Sequence, residues 1–136
     1  MRGSRTMYEV YKKLWEQHPV EEQIKAKGYF EIPADEKIGR ERFVIEPLNY
    51  KDKKVVAVSY SFIQNGDIVY DPEVVFVVND ENKEMIPAEF QNQFAYRVAY
   101  DIWEGTFNEK EYKELLFYVD DSFALSIEML FLEMGR

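Results

Sequence analysis

Asp67, Asp71 and Glu73 place three carboxylates within seven residues. Grouped carboxylates can hold a divalent cation or divide the acid and base roles of a hydrolysis between them. Asp71, Glu81 and Lys83 also follow, loosely, the acid…Glu-x-Lys order of magnesium-dependent nucleases, in which two carboxylates hold the metal and a lysine steadies the attacking water. Here Glu81-Asn82-Lys83 falls in a polar turn between two strands, and a turn positions metal ligands poorly. Turn formation explains Asn, Asp and Gly at these places more simply. His18 is the only imidazole; it stands at a helix end before Pro19, with no nucleophile or orienting acid marked beside it. No cysteine is present, which removes disulfides, thiolate metal sites and Cys nucleophiles. There is no Gly-rich phosphate loop, no G-x-G-x-x-G and no G-x-S-x-G elbow. The residues therefore predict no catalytic set, no metal and no cofactor. The candidate functional surface is Asp67, Asp71 and Glu73.

These groups need a scaffold, and the composition supplies one. The 136 residues and 16.3 kDa suit a single domain. Hydrophobic residues are 46% and charged residues 32%, a globular mixture. Ten Tyr, ten Phe and two Trp provide bulk for a core. The net charge is −9, with 12 basic and 10 acidic groups in residues 1–54 but 5 basic and 16 acidic in residues 55–136. Binding to DNA or RNA needs a basic stripe that displaces counterions, and none is visible. The acidic second half predicts solubility or attraction of a basic partner. Glu104, Glu109, Glu111, Glu114 and Asp121 are a candidate acidic face along a helix, interrupted by Lys110 and Lys113.

Met1-Arg2-Gly3-Ser4 reads as a vector-derived leader, so residues 1–6 are set aside and residues 7–136 are read as one domain. The start lacks the apolar stretch of a signal peptide, and the run from Phe123 to Leu132 is too short to span a bilayer. A cytoplasmic protein away from membranes is expected.

The first helix is predicted from about Thr6 or Met7 to Gln17, with Tyr8, Tyr11, Leu14 and Trp15 on one face. A second piece runs over Val20 to Lys27 and ends at Gly28. Strands are predicted over Tyr29–Ile32, Phe43–Leu48, Val55–Gln64, Asp67–Val78 and Glu84–Gln91. Asn65-Gly66 suits a type I′ turn, which pairs Gln64 with Asp67, Ile63 with Ile68 and Phe62 with Val69. Pro72 cannot donate to a ladder, so it marks an edge or a bulge at Asp71-Pro72. Tyr96, Tyr100 and Trp103 recur by four and three, the step of a core-facing helical stripe. Asn108 and Glu111 have the spacing of a reciprocal helix cap. Leu116, Val119, Phe123, Ile127, Leu130, Phe131 and Met134 form one apolar stripe, and Leu125, Met129 and Leu132 lie off it. Phe123, Ile127, Leu130 and Phe131 are therefore expected to be buried, in the core or at a homodimer interface. The fold class expected is α+β: an antiparallel meander of about four to five strands, with N-terminal and C-terminal helices packed on it.

The stretch from Ser59 to Phe76 resembles a family of uncharacterised small proteins of bacterial plasmids, phages and integrative conjugative elements. Gln64-Asn65-Gly66-Asp67, Asp71-Pro72-Glu73 and the apolar strand that follows carry the likeness. Pro87 to Asn92 (Pro-Ala-Glu-Phe-Gln-Asn) is similar to a second family segment. The resemblance covers about a third of the chain, and implies a mobile-element context without implying a reaction.

The function expected is a non-catalytic acidic interaction or accessory protein that binds a protein partner or pairs with itself. The alternative is a metal-dependent enzyme or small-ligand module that uses the hairpin carboxylates or an aromatic hollow. Convergence of those carboxylates separates the two.

Overall fold

The computed structural model describes residues 2–50 and 52–134, with side chains described up to residue 130. Helices α1 (Arg5–Gln17) and α2 (Val20–Lys27) precede the strands β1 (Phe30–Ile32), β2 (Arg42–Tyr50), β3 (Lys53–Gln64), β4 (Asp67–Asn79), β5 (Glu84–Gln91) and β6 (Tyr96–Val98). Two short strands, β7 (Tyr100–Asp101) and β8 (Thr106–Phe107), then lead to α3 (Glu109–Tyr118), a wide π turn (Val119–Phe123) and α4 (Ala124–Met134). The large sheet is antiparallel in the order β1-β2-β3-β4-β5-β6. It is the α+β meander expected, with one strand more than the four to five anticipated.

The extra strand comes from the segment read as helical. Tyr96 lies in β6, Tyr100 in β7, and Trp103 in the turn after it; Tyr96 and Trp103 are exposed. Two local turns outweigh the four-and-three spacing. Asn92 Oδ1 accepts from the Phe94 and Ala95 amides, and Asp101 Oδ1 accepts from those of Trp103 and Glu104. Asx turns of this kind satisfy the backbone without a helix.

The β3–β4 hairpin has the register read from its turn: Gln64 pairs with Asp67, Ile63 with Ile68 and Phe62 with Val69. Asn65 has φ 53° and Gly66 φ 84°, the two positive values of a type I′ turn. Farther along, Ser59 pairs with Glu73 but Ser61 with Tyr70, so Asp71 and Pro72 together face Tyr60. Of the two places expected for Pro72, an edge or a bulge, this is the bulge, and the Asp71-Pro72 bond is cis.

Alternation along the strands builds two cores. Val56, Val58, Val74, Phe76 and Val78 face the helices, where they meet Tyr11, Leu14, Tyr112, Phe123 and Ile127. Val55, Ala57 and Val75 face the other way, under Ile102, Leu48 and Tyr50. Phe123, Ile127 and Leu130 are buried in the helix-side core of the single chain; Phe131 lies outside the described side chains. Phe123 packs against Phe76 and Tyr60, each at 6.2 Å between ring centroids. Burying a side chain of this size stabilises a fold by about 1.5–3 kcal/mol. Asp120-Asp121-Ser122 does not start a new helix. The chain passes through it in the π turn, which joins α3 to α4.

Residues 2–4, set aside with the leader on sequence grounds, pack into this fold. Ser4 is fully buried and exchanges two backbone hydrogen bonds with Met85. A Cβ at Gly3 would stand 2.8 Å from the Met85 carbonyl oxygen, so only glycine permits that approach. Tyr112 Oη donates to the Arg2 carbonyl at 2.7 Å. Among the described residues, no helix is long and apolar enough to cross a membrane.

Candidate functional site

The three hairpin carboxylates go to three places. Asp67 is exposed beside the turn. Glu73 lies on the sheet face away from the helices, paired between Ser59 and Gln91. Burial raises its pKa, helped by the negative charges of Glu46 and Glu89. Asp71 faces the helical side, because the bulge adds a residue and reverses the alternation of everything beyond it. Among the described residues, no group of three or more His, Asp or Glu is placed to hold a metal ion.

Asp71 enters a cleft of about 410 Å³ between the bulge and the α3–α4 junction. Gln93 Nε2 donates to its Oδ2 at 2.7 Å. Glu41, from the segment entering β2, lines the same cleft; partial desolvation raises its pKa, and the charge of Asp71 adds to the effect. Tyr118 is raised too, by burial first and by Asp71 second. Asp71 thus adds, second to burial, to the shift of a carboxyl on one side and of a phenol on the other. The rings of Tyr60, Tyr118 and Phe123 line it, with Tyr60 to Phe123 at 90° and Tyr118 to Phe123 at 6.1 Å. Tyr60 Oη and Ser126 Oγ are 3.2 Å apart, and Ser126 Oγ donates to the Phe123 carbonyl at 2.8 Å. These bonds tie the strand wall to the helix wall.

A second hollow of about 520 Å³ shares Gly39, Arg40 and Glu41 with the first and continues to Phe62, Ile63 and Ile68. It runs beside a two-stranded ribbon. The last β2–β3 pair is Arg42 with Ser61 and the last β4–β5 pair is Glu73 with Gln91, so residues 62–64 and 67–69 pair only with each other. Ile63 and Ile68 are cross-strand partners and are 68% and 52% exposed. Ile38, Met129 and Leu125 are also exposed. A third hollow, about 150 Å³, is lined in part by Arg97, which donates to both Glu111 carboxylate oxygens at 3.1–3.2 Å.

The candidate acidic face does not form one line. Glu104 is in the β7–β8 turn and not on a helix, because Asp101 holds its amide there. Glu109, Glu111 and Glu114 are on α3, and Asp121 is in the π turn. Arg97 pairs with Glu111 and lies 3.9 Å from Glu114. Asn108 Oδ1 caps α3 by accepting from the Glu111 amide, as its spacing predicts. The reciprocal half is missing: the Asn108 amide donates to the Ala99 carbonyl while the Glu111 side chain takes Arg97. Sequence reasoning did not single out Glu41, Tyr60, Tyr118 or Ser126. Nothing in their spacing joins them, since Glu41 and Ser126 meet only after the sheet and helices have packed.

The family described as a domain of unknown function, DUF6908, matches residues 7–124, and the chain belongs to it. The match includes the ribbon, the bulge, Glu41 and Tyr118. No curated protein and no solved structure matches the chain.

Proposed function

We propose that this family member is a non-catalytic binding module that docks a protein partner along the groove beside the β3–β4 ribbon. The observation that carries the reading is the gathering of exposed apolar side chains there. Ile63 and Ile68 stand on a ribbon that extends past both neighbouring strands and line one hollow, and the exposed Met129 lines the cleft that adjoins it through Gly39, Arg40 and Glu41. Exposed apolar groups grouped around one groove mark interaction surfaces more often than scattered ones do. Dispersal of Asp67, Asp71 and Glu73 favours this reading over a metal-dependent enzyme. The net charge of −9 favours a basic partner. The resemblance carried by Gln64-Asn65-Gly66-Asp67 and Asp71-Pro72-Glu73 is the support for proposing a mobile-element setting for that accessory role.

Site-specific photo-crosslinking in native host cells tests the reading. A photoreactive phenylalanine analogue at position 63 or 129 is expected to give the same discrete adduct, and one at exposed Glu22 on α2 is expected to give none. An adduct of twice the chain mass identifies a second copy as the occupant. Equal labelling from all three positions, or none from 63 and 129, refutes the reading.

A further inference from the structure

We infer that the cleft at the Asp71-Pro72 bulge receives a lysine side chain of the docked partner segment. This inference rests on the docking reading and names the chemistry of the partner at that groove. Two features of the cleft match two parts of the same side chain. Its walls are rings: Tyr60, Tyr118 and Phe123. Its charged groups include Glu41 from the segment before β2 and Asp71 from the bulge. A lysine presents a long apolar stem that packs along rings and a compact ammonium that seeks carboxylates beyond them. An ammonium near an aromatic face gains further attraction from the ring quadrupole.

The site is built before any partner arrives. Gln93 fixes Asp71 through a neutral amide, which orients the carboxylate and leaves its charge in place. Tyr60 is held to α4 through Ser126. A pre-ordered wall costs the complex less conformational entropy than a mobile one. The negative field is felt inside the cleft, where Asp71 disfavours ionisation of both Glu41 and Tyr118. Arg40 also lines the cleft and sets one positive charge against the two carboxylates, which leaves the group net negative. Arg42 ion-pairs with Glu31, and Arg40 Nε donates to the Pro33 carbonyl at 3.2 Å. A volume of about 410 Å³ accepts one long side chain with part of its backbone. Carboxylates arriving from two separate elements suit a point charge better than the planar fork of arginine, which favours one carboxylate held in two contacts.

The test uses the full chain and short blocked peptides, acetyl-Gly-Leu-Xaa-Leu-Gly-amide, with lysine, norleucine, arginine or glutamate at Xaa. Norleucine keeps most of the apolar stem and removes the charge. Titrations are followed by backbone amide shifts. The lysine peptide is expected to move the amides of Glu41, Asp71 and Ser126, and to bind about tenfold more tightly than the norleucine peptide, the scale of one charge-assisted contact. Asp71→Asn and, separately, Glu41→Gln on the exposed rim are expected to shrink that preference while the rest of the spectrum stays folded. Equal binding of lysine and norleucine overturns the inference, as do tighter binding of the arginine peptide and binding of neither peptide. In each case the crosslinks at positions 63 and 129 still report on docking. Loss of those crosslinks with lysine preference intact would instead sink the docking reading and leave the cleft a lysine-binding site without that partner.

Discussion

Ser4 Oγ donates a 2.5 Å hydrogen bond to Asp120 Oδ1, across 116 positions of sequence. The same oxygen accepts from the Met7 amide at 2.9 Å, which makes Ser4 the N-cap of α1. One buried hydroxyl thus closes the first helix and fastens it to the π turn between the last two. Asp120 gains Arg2 as well, at 3.7 Å.

Ser4→Ala is therefore expected to lose both bonds. Loss of an N-cap costs about 1 kcal/mol, and the lost hydrogen bond to Asp120, which keeps Arg2, adds up to about as much again. Urea denaturation measures the sum. A midpoint equal to that of the wild type would show that the cap and the tie contribute nothing.

Gly66→Val tests the turn. Open space surrounds the position where a Cβ would stand, so any cost comes from φ 84° and not from a clash. A β-branched residue held in left-handed conformation loses about 1–2 kcal/mol. The variant should melt earlier, with weakened amide protection at Ile63 and Ile68. Unaltered melting contradicts the type I′ assignment.

Leu130 is 5% exposed and belongs to the helix-side core. Leu130→Asp places a charge there without a partner and is expected to unfold most of the population at room temperature. Ile127→Ala is the milder companion. It should cost about 2–5 kcal/mol through lost burial and the cavity left behind. Circular dichroism distinguishes the pair from wild type, and normal melting of both variants would contradict burial of this helix face in the single chain. Sedimentation of the wild type at tens of micromolar reads self-association separately.

Glu73 supplies a pH test. Its folded pKa is raised above 4.5, by burial first and then by Glu46 and Glu89. For a raised carboxyl the favourable contribution is fully present below the unfolded value and is lost as pH rises through the folded value. Glu73→Gln should therefore melt higher than wild type at pH 7, and the gap should close as pH falls toward 4. A gap that widens on acidification would reverse the sign and refute the assignment.

The parts of this fold that sequence determined are those whose cause lies within a few residues. Asn65-Gly66 set the hairpin register because two positive φ values and a two-residue loop leave one pairing. Pro72 marked an edge or a bulge because it has no amide to donate. Asn108 marked the start of α3 because a cap reaches only to the amide three residues on. The stripe through Phe123, Ile127 and Leu130 was legible because eight residues of helical spacing define a face. Tyr96, Tyr100 and Trp103 misled for the same reason in reverse: spacing is weak evidence where Asn92 and Asp101 can turn the chain through their own side chains.

Tertiary structure decided the rest. It gave Ser4 its burial and its bond to Asp120, and sent the Glu111 side chain to Arg97 instead of back to its own cap. It also decided which hairpin carboxylate matters for the groove. Composition treats Asp67, Asp71 and Glu73 alike. One extra residue at the bulge reverses the alternation between Glu73 and Tyr70, and so turns Asp71 toward the helices while Glu73 stays on the opposite face. Only then do Glu41, Tyr60 and Tyr118 come beside it. Their separations in sequence carry no local signal, and sheet register together with helix packing brings them to one cleft.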